Sequence, residues 1–329
     1  MLRRLALGLL TFGLSAPALA ETPVGYDEDD PAETITRPGL THDLLDPEGR
    51  TRFHLITRLT PSTGEGKFTN DLRATIMARA HIQVFEGLAV NAALPAAGAW
   101  PDPGADAYLV GNIRLGVEGG HAFYVGDSRA DAARPRIALG GAFDLYLPTA
   151  ATADNAFCGT VDACDGTVLV RDLNAYEPES FIDDALMTRL RFHADFSMAS
   201  FTAGLELSLS PGLTLDTNPE FIMLFGWMVR GAVAAGPYLE PFVEIGSSRM
   251  ATGPSNGLLD LLVSNYTTPT TITLGARAHL GGFDPALFLS VDARDGYLIF
   301  GLDLASVFAT DRRSAREAGE TRDFLRGFD

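Results

Sequence analysis

In the stretch RLRFHADFSM, residues 189–198, Arg189, Arg191, His193, Asp195 and Ser197 alternate with Leu190, Phe192, Ala194, Phe196 and Met198. A repeat of two residues belongs to a strand with one polar and one apolar face, whereas a helix repeats about every 3.6. LRATIMARAHIQV (72–84) does the same. There Leu72, Ala74, Ile76, Ala78, Ala80, Ile82 and Val84 oppose Arg73, Thr75, Met77, Arg79, His81 and Gln83. FTAGLELSLS (201–210) and TITLGARAHL (271–280) repeat the pattern. The whole chain read this way predicts twelve strands, at 50–60, 71–84, 88–95, 107–118, 134–148, 186–198, 201–210, 220–234, 237–248, 269–280, 285–293 and 297–308. No helical crossover separates them, so consecutive strands are expected to run antiparallel.

The connections sort by parity. Even ones are tight, at Phe85 to Gly87, Ala199-Ser200, Ala235-Gly236 and Gly281 to Asp284, with the one after the fourth strand as the exception. Odd ones are mostly long, at 61–70, 96–106, 149–185, 211–219 and 249–268, and the last, Arg294 to Gly296, is short. An outer-membrane barrel has short periplasmic turns and long external loops. A soluble sandwich has no reason to sort its loops this way, and its core would want more bulk than Ala74, Ala78 and Ala80 supply. The predicted fold is all-β: a transmembrane antiparallel up-and-down β-barrel of about twelve strands. Its apolar rows face lipid and its charged rows face the lumen, and closure satisfies every backbone hydrogen bond without an edge. Of the two tryptophans, Trp227 falls on an apolar row and Trp100 in a predicted connection.

The ends of the chain set its expected destination. Residues 1–20, MLRRLALGLLTFGLSAPALA, combine two arginines, a short apolar core and Ala18-Leu19-Ala20. That is the pattern of a signal peptide cleaved near Ala20. Cleavage removes two arginines and no acids, moving the formal net charge from −17 to −19. Phosphate would repel such a chain, so nucleic acid is not an expected partner. Residues 21–49, with Asp27-Glu28-Asp29-Asp30, read as an acidic periplasmic leader or plug. Residues 50–308 form the barrel and 309–329 a charged periplasmic tail. Export followed by barrel formation implies the outer membrane of a Gram-negative bacterium. Outer-membrane lipid, a small-molecule solute and the barrel-assembly machinery are then the expected partners, with no cofactor. Cys158 and Cys164 suit an exported chain, with one disulfide pinning the tip of the 149–185 loop.

Within 107–150, YLVGNIRLGVEGGHAF and RPRIALGGAFDLYLPTA resemble a pair of strands in predicted proteobacterial outer-membrane transporters. These include the family labelled for the MetA pathway of phenol degradation. The Gly-Asp of that family appears here as Gly111-Asn112, and its Leu-Pro-Thr-Gly as Leu147-Pro148-Thr149-Ala150. The resemblance implies a small-molecule transport channel. It names no catalytic residues.

The lumen parity carries Arg52, Arg58, Arg73, Arg79, Arg114, Arg136, Arg189, Arg191, Arg230, Arg277 and Arg294 against Glu118, Asp144, Asp195, Glu206, Glu240, Glu244, Asp292 and Asp303. Arginines exceed acids there, so the interior is slightly positive within a strongly negative protein. Interleaved arginines can line an anion-selective path, or pair with the acids and fill the lumen. Strand number does not decide, because barrels of about 8 strands are filled and those of roughly 16–18 are open. His54, His81, His193 and His279 share the lumen parity without a metal-binding spacing such as H-E-x-x-H. The 149–185 loop holds Asp154, Asp162, Asp165, Asp172, Glu177, Glu179, Asp183 and Asp184 against Arg171 alone, and reads as a solvated anionic external loop. Ser197, His193 and Asp195 are the residue types of a hydrolytic triad. At two-residue steps along one strand they stand roughly 7 Å apart, too far to bond in sequence. The expected protein is therefore a non-enzymatic channel for small polar or anionic solutes. Its path would be lined by Arg73, Arg79, Arg114, Arg136, Arg189, Arg191, Arg230, Arg277, Asp195, Glu206 and Glu244. The alternative is a filled barrel acting as a structural or surface-binding protein.

Overall fold

The computed structural model describes residues 51–64, 67–85, 87–100, 107–125, 135–150, 177–182, 184–215, 219, 221–236, 238–252, 266–267, 270–280, 283–293 and 298–308. The expected signal peptide, leader and tail, Cys158, Cys164, Arg294, Asp183 and the acids from Asp154 to Asp172 lie outside them. The strands are β1 Thr51–Gly64, β2 Lys67–Phe85, β3 Leu88–Trp100, β4 Ala107–Val110, β5 Ile113–Tyr124, β6 Arg136–Leu147 and β7 Ala185–Met198. They continue with β8 Phe201–Thr214, β9 Phe221–Val233, β10 Leu239–Thr252, β11 Tyr266–Thr267, β12 Thr271–Ala278, β13 Phe283–Asp292 and β14 Leu298–Phe308. A single 3₁₀ turn, Pro178–Phe181, precedes β7.

Neighbouring strands pair antiparallel around the ring, and β14 returns to β1 with Thr51 opposite Phe308 and Leu59 opposite Phe300. β4 and β5 are two parts of one barrel strand, both paired to β3, and β11 extends the rim beside β10. The fold is thus a closed antiparallel barrel of twelve strands, the fold of an outer-membrane β-barrel.

Side-chain alternation assigns the two faces. On β7, Arg191 is 4% exposed and the adjacent Phe192 62%. Arg189, His193 and Ser197 are buried with Arg191, while Leu190, Phe196 and Met198 lie outside with Phe192. Phe53, Phe85, Phe123, Phe201, Tyr238 and Phe283 are exposed at the strand ends that share one rim. They form an aromatic belt at the interface where β1 begins. At the opposite rim, Trp100 ends β3 instead of lying in a connection. Its ring meets Tyr108 edge-on at 5.9 Å and covers Gly98, where an added Cβ would lie 2.7 Å from the indole. The same cover explains why Ala74, opposite Gly98 and on the apolar row of β2, is buried.

The structure departs from the sequence pattern at two further places. The loop expected at 61–70 is strand, because β1 runs to Gly64 and β2 starts at Lys67. β2 has 19 residues, whereas crossing the hydrocarbon takes about 9–11. The outer end of this hairpin stands beyond lipid, where alternation is not required. The strand expected at 107–118 runs on to Tyr124 but is broken at Gly111-Asn112. Leu109 and Arg114 both point inward although they are five residues apart, so the break is a one-residue bulge that resets parity.

The bulge is the entry point of the 148–184 connection into the lumen. Gly111 N–H still bonds Pro95 O at 2.9 Å, but Asn112 N–H leaves the ladder for Ser180 O at 2.7 Å. A Cβ on Gly111 would sit 2.3 Å from that same oxygen, so only glycine lets the turn approach. The Asn112 amide then ties both feet of the connection. Its Nδ2 donates to Glu179 O (2.9 Å) and Ile182 O (2.6 Å). Its Oδ1 accepts from Thr149 N (3.1 Å) and Ala150 N (3.0 Å). Thr149 Oγ1 completes the knot by donating to Gly111 O at 2.7 Å. The two short motifs that carried the family resemblance are therefore in direct contact, and what they hold is the inward turn.

Replacing Phe192 by Arg puts a charge at mid-strand on the lipid face. It is expected to cost about 2–4 kcal/mol, read as a lower urea midpoint for the heat-modifiable folded band on unheated gels. Asn112→Asp keeps two acceptor contacts but offers nothing to the carbonyls of Glu179 and Ile182. A loss of about 2–5 kcal/mol is expected, with faster limited proteolysis inside 151–176.

Candidate functional site

The lumen site is built on one cross-strand row. Arg79 on β2 lies opposite Ala93 on β3, Ala93 opposite Arg114 on β5, and Arg114 opposite Tyr146 on β6. All four are buried. Ala93 contributes only a methyl group, which leaves space between two guanidinium groups from strands on either side of it. Into that space the 3₁₀ turn brings Glu177. Its Oε2 accepts from Arg79 Nη2 at 2.5 Å. Its Oε1 accepts from Arg114 Nη1 at 3.0 Å and Tyr146 Oη at 3.1 Å, with Ser180 Oγ at 3.2 Å. Arg79 is itself steadied by Nε on Met77 Sδ at 2.9 Å.

Glu179, two residues on, reaches the next part of the wall. Its Oε1 accepts from Ser210 Oγ at 2.5 Å, and Arg189 Nη1 lies 3.5 Å from its other oxygen. Phe181 is fully buried against Ala97 and Leu109. Ile182 joins Tyr146, Ala185, Met187, Ile222 and Leu224 in an apolar cluster on the same side of the turn as β7 and β9. The turn is thus held by charge at its start, by Asn112 in its middle and by apolar packing at its end.

Burial pushes the Glu177 carboxyl upward. Arg114, Arg79, Arg189 and Arg191 together outweigh this, and the group is held well below the usual carboxylate range. It is therefore charged wherever the turn is docked.

Beneath this layer the wall pairs its own charges. Arg191 Nε donates to Asp144 Oδ2 at 2.8 Å and also lies 3.6 Å from Glu118. His81 contacts Glu118, and Arg189 lies 3.6 Å from Glu206. Gly116 makes the Asp144 position possible, since a Cβ there would fall 2.1 Å from Asp144 Oδ1. Further along the lumen Arg230 Nη2 donates to Asp195 Oδ2 at 2.7 Å, and Arg277 approaches Glu240 at 3.6 Å. There too stand Ile56, Phe242, Ala286 and Phe288 as a second apolar cluster, with the Arg58 guanidinium 6.0 Å from the Phe288 ring centre.

Of the residues expected on the solute path, Arg79, Arg114 and Arg189 meet the inward turn, and Arg191 pairs with Asp144 in the wall. Glu206 borders them. Arg230 and Asp195 form a separate pair, and Arg277 and Glu244 line a small cavity of about 10 Å³ beside Arg230 — room for about one water. Arg136 is buried opposite Ser197. Arg73 is half-buried next to the outer hairpin. Asp195, engaged by Arg230, lies 3.6 Å from His193, and Ser197 faces Arg136 and Thr202. Three of the four lumen histidines meet a carboxylate of another strand: His54 with Asp303 (3.1 Å) on the adjacent strand, His279 with Asp284 (3.3 Å) on β13, and His81 with Glu118 across β3. Among the described residues no group of three metal-ligating side chains comes together.

Reading the sequence missed Glu177 and Glu179. The acidic composition of the 149–185 connection groups both with its solvated acids. The signal that separates them is local: Phe181-Ile182 is an apolar pair at the end of an otherwise acidic connection.

No protein-family model matches the chain, and no curated protein matches it. Solved structures do. The translocator domain of the autotransporter NalP from Neisseria meningitidis is 13% identical, covering 80% of this chain and 90% of that one, with a TM-score of 0.39. A loop-deletion mutant of OmpT, an outer membrane protein of Vibrio cholerae, is 10% identical over 78% and 98% of the two chains, with a TM-score of 0.37. LpxR from Salmonella typhimurium is 13% identical over 77% and 99%, with a TM-score of 0.34.

Proposed function

We propose that this protein is a channel for small anionic solutes in the outer membrane of a Gram-negative bacterium, held shut by its own inward turn. The supporting observation is the source of the carboxylates. Arg79, Arg114 and Arg189 meet Glu177 and Glu179, which belong to a connection and not to the wall. The wall acids adjoining them are Glu118, Asp144 and Glu206, against four arginines with Arg191 included. With the turn docked, carboxylates outnumber arginines by one, and every one of the four arginines has a carboxylate within 3.5 Å. With the turn withdrawn, arginine is in excess, and a positive constriction in a low-dielectric wall favours anions. Export through the 1–20 signal and insertion by the barrel-assembly machinery follow from the same reading.

A second reading is a permanently filled barrel, and one observation favours it. The Ile56, Phe242, Ala286 and Phe288 cluster occupies lumen that the turn does not reach.

Purified protein in a planar bilayer decides between them. Wild type is expected to be mostly silent. Glu177→Gln with Glu179→Gln is expected to give discrete steps with chloride preference in a KCl gradient. Asn112→Asp, which loosens the turn without removing a lumen charge, is expected to raise the frequency of opening. A silent bilayer from both variants, each still heat-modifiable on gels, would mean the filled barrel.

Acidification gives a further check. Glu177 has a folded pKa below its unfolded value, so its contribution is complete above the unfolded value and is lost only as pH falls through the lowered one. Wild type should therefore stay closed when pH is taken from 7 to ~5. Opening at that pH would show that Glu177 does not hold the turn.

A further inference from the structure

We propose that the Arg79–Arg114–Tyr146 row is a binding site for small carboxylates, and that Glu177 occupies it as a tethered stand-in for the solute. This deepens the channel reading and rests on it for the word solute. The binding chemistry stands separately.

The geometry is that of carboxylate recognition. Both oxygens of Glu177 are addressed by different strands, Oε2 from β2 and Oε1 from β5 and β6. Two guanidinium groups give a permanent charge of the right sign, and the tyrosine hydroxyl adds a directional donor. The donors are arranged about one planar group with two acceptor atoms. A chloride has a single centre and could meet only one side of this arrangement, whereas a carboxylate offers an oxygen to each side. With the turn docked Arg114 is 1% exposed, so its hydrogen bond to Glu177 is made away from bulk solvent.

The stand-in is removable by construction. Glu177 is carried by a turn whose other attachments are the Asn112 knot, the Glu179 contacts and apolar packing, and the wall residues do not depend on it for their strand positions. When the turn leaves, Arg79, Arg114 and Tyr146 remain on three strands of a closed barrel. A solute carboxylate can then take the place of Glu177 and relieve the two buried cations. Arg191 differs, because its carboxylates, Asp144 and Glu118, are part of the wall and stay.

The test is chemical rescue. Glu177→Ala removes the carboxylate and leaves its donors, so the variant should unfold at lower urea than wild type. Sodium acetate should restore most of that midpoint loss, saturably. Sodium chloride at matched ionic strength should restore none. Adding Arg114→Gln should abolish the acetate effect, and wild type, whose site is filled, should not respond. Equal responses to acetate and chloride would overturn the site. Should Glu177→Ala fail to fold, Asn112→Asp takes its place. There a loosened Glu177 competes with acetate, an acetate-specific rise in midpoint is expected, and its absence overturns the proposal. The bilayer experiment separates the two readings. Rescue with silent variants keeps the carboxylate site and discards the solute path, and conducting variants without rescue do the reverse.

Discussion

Hydrocarbon offers no hydrogen bonds to a peptide backbone, and the rest of this structure depends on that. Every strand must find two neighbours, so the sheet must close, as it does where β14 meets β1. Closure divides the side chains into an outer and an inner row with no third place to go. Lipid accepts only the apolar row. The charges must therefore enter a narrow lumen, where they are buried and must find partners. The pairs Arg191–Asp144 and Arg230–Asp195 are what closure leaves the wall to do with its charges.

A strand that kept perfect pairing would leave nothing free to hold a loop. Gly111-Asn112 gives up one rung. The cost in the ladder is met at once, because Asn112 N–H finds Ser180 O and the side-chain amide fills all four of its hydrogen-bonding positions. A broken rung in a membrane barrel is tolerable only where the freed groups are buried in protein. Here the protein that buries them is the inward turn itself. The bulge and the turn are thus one feature seen from two sides: neither is satisfied without the other.

Much of this was legible in the sequence for a physical reason. Alternation in 189–198 and 72–84 is imposed by lipid on one side, so parity sorts Arg79, Arg114, Arg189 and Arg191 into the lumen without any structure. The rule fails where lipid no longer acts. PSTG and KFTN carry no alternation in the sequence, so the pattern predicts loop there, yet β1 runs to Gly64 and β2 starts at Lys67. Trp100 continues β3 at that same outer rim. Glu177 and Glu179 were hidden for a different reason. An acid in an acidic connection is ordinarily solvated, and composition carries no trace of the four arginines that outweigh the loss of water. Asn112 was visible only as a motif. That its amide would meet Thr149, some 37 residues away, is a matter of register, which a single sequence does not print.

The placement of carboxylates has a further consequence. A wall carboxylate, such as Asp144, is fixed by the strand that carries it, and its pair with Arg191 makes the lumen permanently tighter. A loop carboxylate can neutralise an arginine just as well while docked, but its hold is the sum of separable contacts. Those at the turn are of three kinds, ionic at Glu177, polar at Asn112 and apolar at Phe181 and Ile182. The ionic kind is the one a small anion can replace in place. The polar and apolar kinds do not depend on charge and hold the turn independently of it. A barrel that used wall acids alone would be filled for good, and one that left its arginines unmatched would strain against buried charge. Here the matching carboxylates of Arg79 and Arg114 come from a turn, so the compensation of these two arginines and the seating of the turn are one and the same contact.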